Sequence, residues 1–368
     1  MTSPEISSSW VNSAFKQDGY EILKPQNMPE SWVLADSENL TKRDKANLIT
    51  LNLAADMSPG LQDLIDVGFG RRITGDVQGR EEDDELLIDT VAEDLAINSI
   101  KNAVERFGLG CAIYTEHKKE IPVNVGDLTK GVDGSLDPVD NSDEYHRKLD
   151  TPQHLVFATY DPETNEQLSA LDINLATGMM TINRDGKNYQ YNPRTNELVE
   201  LPVPEKVLSI QQRELTIASY FGRKQYSHSF DKFFKDLKNE KRHAKSTFHG
   251  KGGAHIYSLM ATGAVSIYVM FDEPRGEIDP GLPFAEAAGY VVWEVDMETG
   301  EIREYKFDPE KNKSKENVPL FIAASTPELA NEFVAEFMAN KQKMSKSQLG
   351  QNIKAKAGGI LKRSFLFR

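Results

Sequence analysis

The sequence has one cysteine, Cys111, in 368 residues, which excludes an intrachain disulfide and a cysteine-rich zinc site. Its setting in "GLGCAIYT" is apolar and β-branched, as for a core thiol in a reducing compartment. Apolar runs are short, none approaching the roughly 20 residues that cross a bilayer, so no membrane span is expected. The start, "MTSPEISSSWVNSAFKQDGYE", lacks the basic and apolar regions of a signal peptide, and a cytoplasmic location is the expectation. There is no internal repeat, no Gly-rich phosphate loop and no nucleophile elbow. His228, His243, His249 and His255 miss zinc spacing and are read as structural. Positive charge is also short: 43 Lys and Arg face 57 Asp and Glu, and the net charge of −14 argues against nucleic acid as a partner.

With 39% hydrophobic and 27% charged residues, the chain can build one large globular body or two smaller ones, each with its own core. Residues 86–106, "LLIDTVAEDLAINSIKNAVER", place apolar side chains at helical spacing between acids and lysine, the pattern of an amphipathic helix. "CAIYTE" follows as a short strand ending in Glu116, and a Pro- and Gly-containing loop leads on. From 154 to 192, apolar runs alternate with "DPETNE", "ATG" and "RDGKN", the turns of an antiparallel meander. "LVELPVPEKVLSI" marks the expected boundary between an N-terminal α/β domain, 1–200, and a C-terminal α/β domain, 201–340. Beyond it come a helix in "AHIYSLMATGAV", a strand in "SIYVMF", a hairpin through "METG", a buried strand "VPLFIAAS" and a helix opened by Thr326 and Pro327. Helix and strand alternate without a βαβ repeat, so the fold class is α/β with mixed, largely antiparallel sheets. Residues 341–368 form a basic tail with eight Lys or Arg and no acid.

The acids concentrate in "GSLDPVDNSDEY", where Asp137, Asp140, Asp143 and Glu144 fall within eight residues. Asp137 and Asp140 bracket a proline and an apolar residue, a geometry that can aim both side chains and the Val139 carbonyl at one place. Oxygen ligands gathered in this way suit hard divalent cations such as Mg²⁺. Glu116 ends a separate apolar run, and Asp89 lies on the amphipathic helix; acids at element ends converge when the elements pack side by side.

A chain of short motifs in order, over roughly residues 70 to 340, resembles the superfamily containing fructose-1,6-bisphosphatase and inositol monophosphatase, nearest to the former. "ITGD" is similar to its Thr-Gly-Asp loop, "DTVAEDLAIN" to its Asp-x-x-x-x-Asp-Leu helix, "IYTEH" to its Ser-Glu-Glu, "DPVDNS" to its Asp-Pro-Leu-Asp-Gly-Ser, and "GEIDPGLPFAEAAGYV" to its Glu-Cys-Asn-Pro and Glu-x-Ala-Gly-Gly motifs. The resemblance implies a layered α/β/α/β/α fold and hydrolysis of a sugar phosphate with two or three Mg²⁺ ions, Mn²⁺ being a possible substitute. It implies fructose 1,6-bisphosphate as substrate, with inositol or another polyol phosphate, or a catalytically degenerate binding role, as the alternatives. It implies metal ligation by Glu116, Asp137, the Val139 carbonyl, Asp140 and Glu277. Asp89, with Asp76, would hold the attacking water, Ser142 would orient it, and a homo-oligomer is expected.

The chain departs from that pattern at several points. His117 replaces a glutamate, Asn141 replaces a glycine, and Asp143 and Glu144 replace uncharged residues. Gln211 or Gln212 stands where the family has Asn-Glu-Gly, Thr247 and Phe248 replace Arg-Tyr, Tyr268 is kept, and only Arg275 remains near Glu277 as a cation. The basic run 232–253 supplies Arg242, Lys245 and Lys251 as candidates for a second phosphate. The expected substrate contacts are therefore Asn141, Ser142, Gln211, Tyr268, Lys251 and Arg275.

Overall fold

The structure, a computed structural model, describes residues 40–66, 68–71, 73–77, 80–115, 118, 120–148, 152–195, 197–212, 214–219, 247–249 and 252–339. Glu116, His117, Arg242, Lys245, Lys251 and the basic tail lie outside them. No helix among the described residues is long and apolar enough to cross a membrane.

Helix α1 (Lys42–Asp66) is followed by a two-stranded ribbon, β1 (Ile73–Val77) and β2 (Arg80–Leu86), and by helix α2 (Leu87–Phe107). Strands β3 (Gly110–Thr115), β4 (Val123–Gly126), β5 (Gly131–Asp140), β6 (His154–Tyr160), β7 (Gln167–Asn174), β8 (Met180–Arg184), β9 (Lys187–Asn192) and β10 (Glu197–Glu200) form an eight-stranded sheet in the order β10-β9-β8-β7-β6-β5-β3-β4. Its neighbours run antiparallel except β3 and β5. A one-turn helix, α3 (Ser142–His146), follows β5. In the second half, β11 (Thr216–Ser219), β12 (Thr247–His249), β13 (Ile267–Pro274), β14 (Val291–Val295), β15 (Ile302–Glu304) and β16 (Asn317–Ala324) make a six-stranded sheet, β12-β11-β13-β16-β14-β15. Short helices α4 (Ile256–Ala261), α5 (Arg275–Ile278), α6 (Leu282–Ala287) and α7 (Pro309–Lys313) connect these strands, and α8 covers 327–339.

The layers follow from which faces are apolar. Ile49, Leu53 and Leu61 of α1 and Ile88, Ala96 and Ile100 of α2 pack with Leu136, Phe157 and Leu171 on one face of the large sheet. The other face of that sheet shares a second core with α4, α6 and the inner face of the small sheet, through Val156, Tyr160, Tyr257, Phe284, Tyr268 and Phe321. Helix α8 buries Leu329, Phe333 and Phe337 on the outer face of the small sheet against Val269 and Ile322. The fold is α/β/α/β/α with two mixed sheets.

Two segments differ from the sequence-based expectation. Residues 42–66, on which no motif falls, are one helix that continues through Ser58-Pro59-Gly60. Ala46, Ile49, Leu53, Met57, Leu61 and Ile65 form a buried stripe at spacings of three and four, and burying it outweighs the local cost of proline. The glycine-rich stretch before Leu136 is strand rather than loop. A Cβ at Gly131 would lie 2.6 Å from the Gly110 carbonyl oxygen, and one at Gly134 would lie 2.8 Å from the Phe157 ring, so these glycines let strands and rings close up.

Candidate metal centre

Strand β5 is buried along all ten residues and ends in the acidic motif. In a regular strand, residues three apart point to opposite faces. Here Asp137 pairs with Val156 but Asp140 pairs with His154, so three steps on β5 match two on β6. That extra residue is a bulge at Pro138-Val139, where proline has no N–H to give the ladder. The bulge restores the alternation: Leu136 and Val139 both enter the core beneath α1 and α2, and Asp137 and Asp140 turn together toward the small sheet.

The third acid arrives from that sheet. Strand β13 ends at Pro274, which begins α5 and carries Glu277 on its single turn. The turn is pinned at both ends. Arg275 is buried; its Nη1 donates to the Lys306 carbonyl at 3.1 Å, its Nη2 lies 3.5 Å from a Glu294 oxygen, and its guanidinium stacks 4.7 Å from the Tyr305 ring centre. Asp279 accepts from Tyr305 Oη at 2.7 Å and Asn312 Nδ2 at 2.6 Å, and its carbonyl accepts from the Tyr160 hydroxyl. Burial pushes the Asp279 carboxyl up to about 6, against the pull of Arg275 and those hydrogen bonds.

Carboxylate oxygens of Asp137, Asp140 and Glu277 thus lie within 4.8 Å of one another. Asp137 and Asp140 are 4% and 5% exposed, too buried for water alone to offset two charges. At an effective dielectric of about 20, each pair of unit charges at this separation repels by about 3.5 kcal/mol. An all-oxygen, all-anionic donor set of this kind fits a hard divalent cation, Mg²⁺ or Mn²⁺.

Asp140 is held from one side. Its Oδ2 accepts the His255 backbone N–H at 2.9 Å and faces His255 Nδ1 at 2.6 Å. Oδ1 lies over Gly253, where a Cβ would fall 1.9 Å away, and Gly253 has φ +111°, so both space and backbone require glycine there. Tyr268 fixes that glycine: its Oη accepts from Gly253 N at 2.6 Å and donates to Gly253 O at 3.1 Å. The His255 ring stacks on His154 at 4.9 Å and 30°, and His154 Nδ1 sits 2.7 Å from Asp172 Oδ1. Burial opposes a charge on His154, but Asp172 and Asp140 together raise its pKa above the ordinary histidine value.

The other candidates fall as follows. Val139 sits in the bulge, between the two aspartates. Asn141 adopts φ +69°, and its amide lies 3.3 Å from His255 Nδ1 and 3.4 Å from the Pro152 carbonyl. Ser142 opens α3 directly behind it. Asp89 is buried in the first turn of α2, and its Oδ2 accepts the Leu86 N–H at 3.0 Å, serving the helix terminus. Asp76 lies in β1, in a strand where the motif suggests a loop. Gln211 is exposed in a turn whose Ile210 N–H bonds Glu332 of α8, beyond the small sheet from the acids. Thr247 and Phe248 lie in β12.

The motifs do not single out four groups that the fold brings forward. His255 and His154 lack metal spacing in sequence, and Asp172 reads as an ordinary meander residue. Glu93, buried, accepts from Thr115 Oγ1 at 2.6 Å beside the end of β3, with Lys118 Nζ 3.4 Å from its other oxygen. Its i, i+4 spacing from Asp89 is the available signal, since it puts both acids on one helix face.

No family model matches the sequence, and no curated protein is similar to it in sequence. Solved structures do share its fold. The Thermotoga maritima IMPase superposes with a TM-score of 0.54 at 15% identity, covering 77% of this chain and 94% of that one. An inositol monophosphatase from Zymomonas mobilis gives 0.51 at 13% identity, covering 77% and 96%. The extragenic suppressor protein suhB from Bartonella henselae gives 0.53 at 14% identity, covering 79% and 97%. None of the three is named as a fructose-1,6-bisphosphatase, the branch that the motifs resemble most.

Proposed function

We propose that this chain is a Mg²⁺-dependent phosphomonoester hydrolase acting on a polyol or sugar monophosphate of the inositol phosphate kind. The observation that carries the proposal is the meeting of Asp137, Asp140 and Glu277 from two different sheets, in a fold shared with inositol monophosphatases. These neighbours favour a polyol monophosphate over fructose 1,6-bisphosphate as the substrate.

In this reading Asp137, Asp140, Glu277 and the Val139 carbonyl hold the cations, joined by Glu116 just past the end of β3. Bound divalent cations would neutralise phosphate oxygens, lower the pKa of a bound water and stabilise the leaving alkoxide. The protein's own tasks are positional. Asp89, with Asp76, holds the attacking water and takes its proton, and the Ser142 hydroxyl orients it. The left-handed turn at Asn141 directs the following backbone N–H groups toward a phosphate. Tyr268 shapes the wall through Gly253, and Lys251 supplies a cation to the substrate. The proposal does not use Arg275, whose contacts commit it to the α5 anchor, or Gln211, which is exposed in a turn.

The test is phosphate release from inositol, sugar and nucleotide phosphates, fructose 1,6-bisphosphate included, with and without Mg²⁺. Release should require Mg²⁺ or Mn²⁺ and be fastest on polyol monophosphates. Asp137→Asn and Glu277→Gln should each lower it by roughly 10²-fold or more while the fold persists. No release from any of these substrates, with thermal midpoints indifferent to divalent cations, would overturn the proposal in favour of a binding role.

A further inference from the structure

We propose that His255 is a positioning residue that fixes which oxygen of Asp140 meets the cation, and that it thereby sets the preference of the centre for Mg²⁺ over Ca²⁺; this rests on the metal-centre reading above. An ionised carboxylate only accepts hydrogen bonds, so the Nδ1 that lies 2.6 Å from Asp140 Oδ2 carries the ring proton. The backbone N–H of the same residue adds a second donor to the same oxygen at 2.9 Å. Two donors occupy the lone pairs of Oδ2 and leave Oδ1, which packs over the space that Gly253 keeps free of a Cβ, as the oxygen available to a cation. Twisting the carboxylate to offer both oxygens at once breaks both bonds to His255.

A carboxylate locked in this way is a single-oxygen ligand with a set direction. Mg²⁺ demands near-octahedral geometry with single oxygens at about 2.0–2.1 Å, whereas Ca²⁺ takes six to eight oxygens in looser geometry and often binds both atoms of a carboxylate. The lock therefore favours the smaller ion.

The ring that makes the lock is itself held. His255 stacks on His154 at 4.9 Å, and Asp172 holds His154 through a 2.7 Å contact to Nδ1. His154, His255 and Asp172 are all buried. The chain Asp172, His154, His255, Asp140 runs from β7 and β6 of the large sheet, across to the segment that opens α4, and back to the end of β5. Groups bonded to ligands in this way typically tune metal affinity by roughly 10–100-fold.

Two substitutions separate donor from packing. His255→Phe keeps a ring to stack on His154 and removes the N–H; His255→Asn keeps an N–H close to the Nδ1 position and removes the ring. Full-length wild type and both variants are titrated with Mg²⁺ and separately with Ca²⁺, following the thermal midpoint, with Mn²⁺ binding by EPR as the direct measurement. His255→Phe should weaken Mg²⁺ binding by roughly 10–100-fold and Ca²⁺ binding far less, narrowing the ratio of the two. His255→Asn should recover most of the Mg²⁺ affinity. A role confined to packing would lower the cation-free midpoint and leave the ratio unchanged. If His255→Phe fails to fold, His255→Ala replaces it in the same comparison. Unchanged affinities, equal losses for both ions, or an Asn variant no better than Phe would overturn the inference while leaving the hydrolase reading intact. A wild type whose midpoint ignores both cations would overturn both.

Discussion

Gly253→Ala puts the centre under its sharpest mechanical test. The added Cβ would sit 1.9 Å from Asp140 Oδ1 and 2.4 Å from Oδ2. Ordinary contact begins near 3.4 Å, so the carboxylate or the 252–254 backbone must move by about 1.5 Å. Neither yields freely: Asp140 is tied to His255 through two bonds, and Gly253 is tied to Tyr268 through two more. The backbone angle of +111° adds its own penalty for any residue with a Cβ, of order 1–3 kcal/mol. Together these predict a variant destabilised by about 2–4 kcal/mol. Its Asp140 oxygen leaves the 4.8 Å group, and Mg²⁺ affinity falls by roughly 10–100-fold. At saturating ion that loss removes about 1.4–2.7 kcal/mol of the stabilisation that cation binding gives the folded state. Thermal melts of wild type and variant, without cation and across a Mg²⁺ series, measure both effects. A variant with the wild-type midpoint and the wild-type Mg²⁺ shift would refute the reasoning.

Asp140→Asn should raise the midpoint of the cation-free protein, because it removes two repulsions of about 3.5 kcal/mol each at an effective dielectric of about 20, and should shrink the Mg²⁺-dependent shift; a lowered cation-free midpoint with an undiminished shift would contradict the assignment. A pH effect is expected at Asp133, a buried β5 residue whose carboxyl is pushed up to about 6 from the ordinary 3.8 by burial, with Lys313 opposing and Asp161 adding. Its folded state binds the proton more tightly than the unfolded chain. This group's contribution is therefore present below about pH 4 and lost as pH rises to about 6. The stability of Asp133→Asn relative to wild type should rise across that window in denaturant melts, and a difference independent of pH would show the shift to be absent. Leu86 N–H loses its acceptor in Asp89→Ala, which should cost about 1 kcal/mol at the start of α2, measured by the same melts; an unchanged midpoint would remove Asp89 from the helix terminus.

Local pattern made much of this protein legible without coordinates. The α2 periodicity, the meander from β6 to β9, the hairpin of β14 and β15 and the Thr326-Pro327 start of α8 are encoded within a dozen residues each, and short-range spacing suffices to read them. Asp137 and Asp140 were visible for the same reason, being three residues apart around a proline.

Tertiary structure decided what those acids do. The bulge that turns both to one face exists because β6 pairs on either side of it, and pairing between separate strands is not written in the spacing of one strand. Glu277 is 137 positions beyond Asp140 and reaches it only because two sheets pack around a common core; "GEIDP" alone carries no sign of that neighbour. His255 looked like any isolated histidine, since neither Asp140 nor His154 is near it in sequence. Helix α1 went unassigned because no motif falls on it, and the gain from burying its stripe requires the sheet beneath it. Sequence determined which residues could carry charge and where the chain must turn; the fold alone determined which charges meet, because their separation in space depends on the summed packing of elements far apart in the chain.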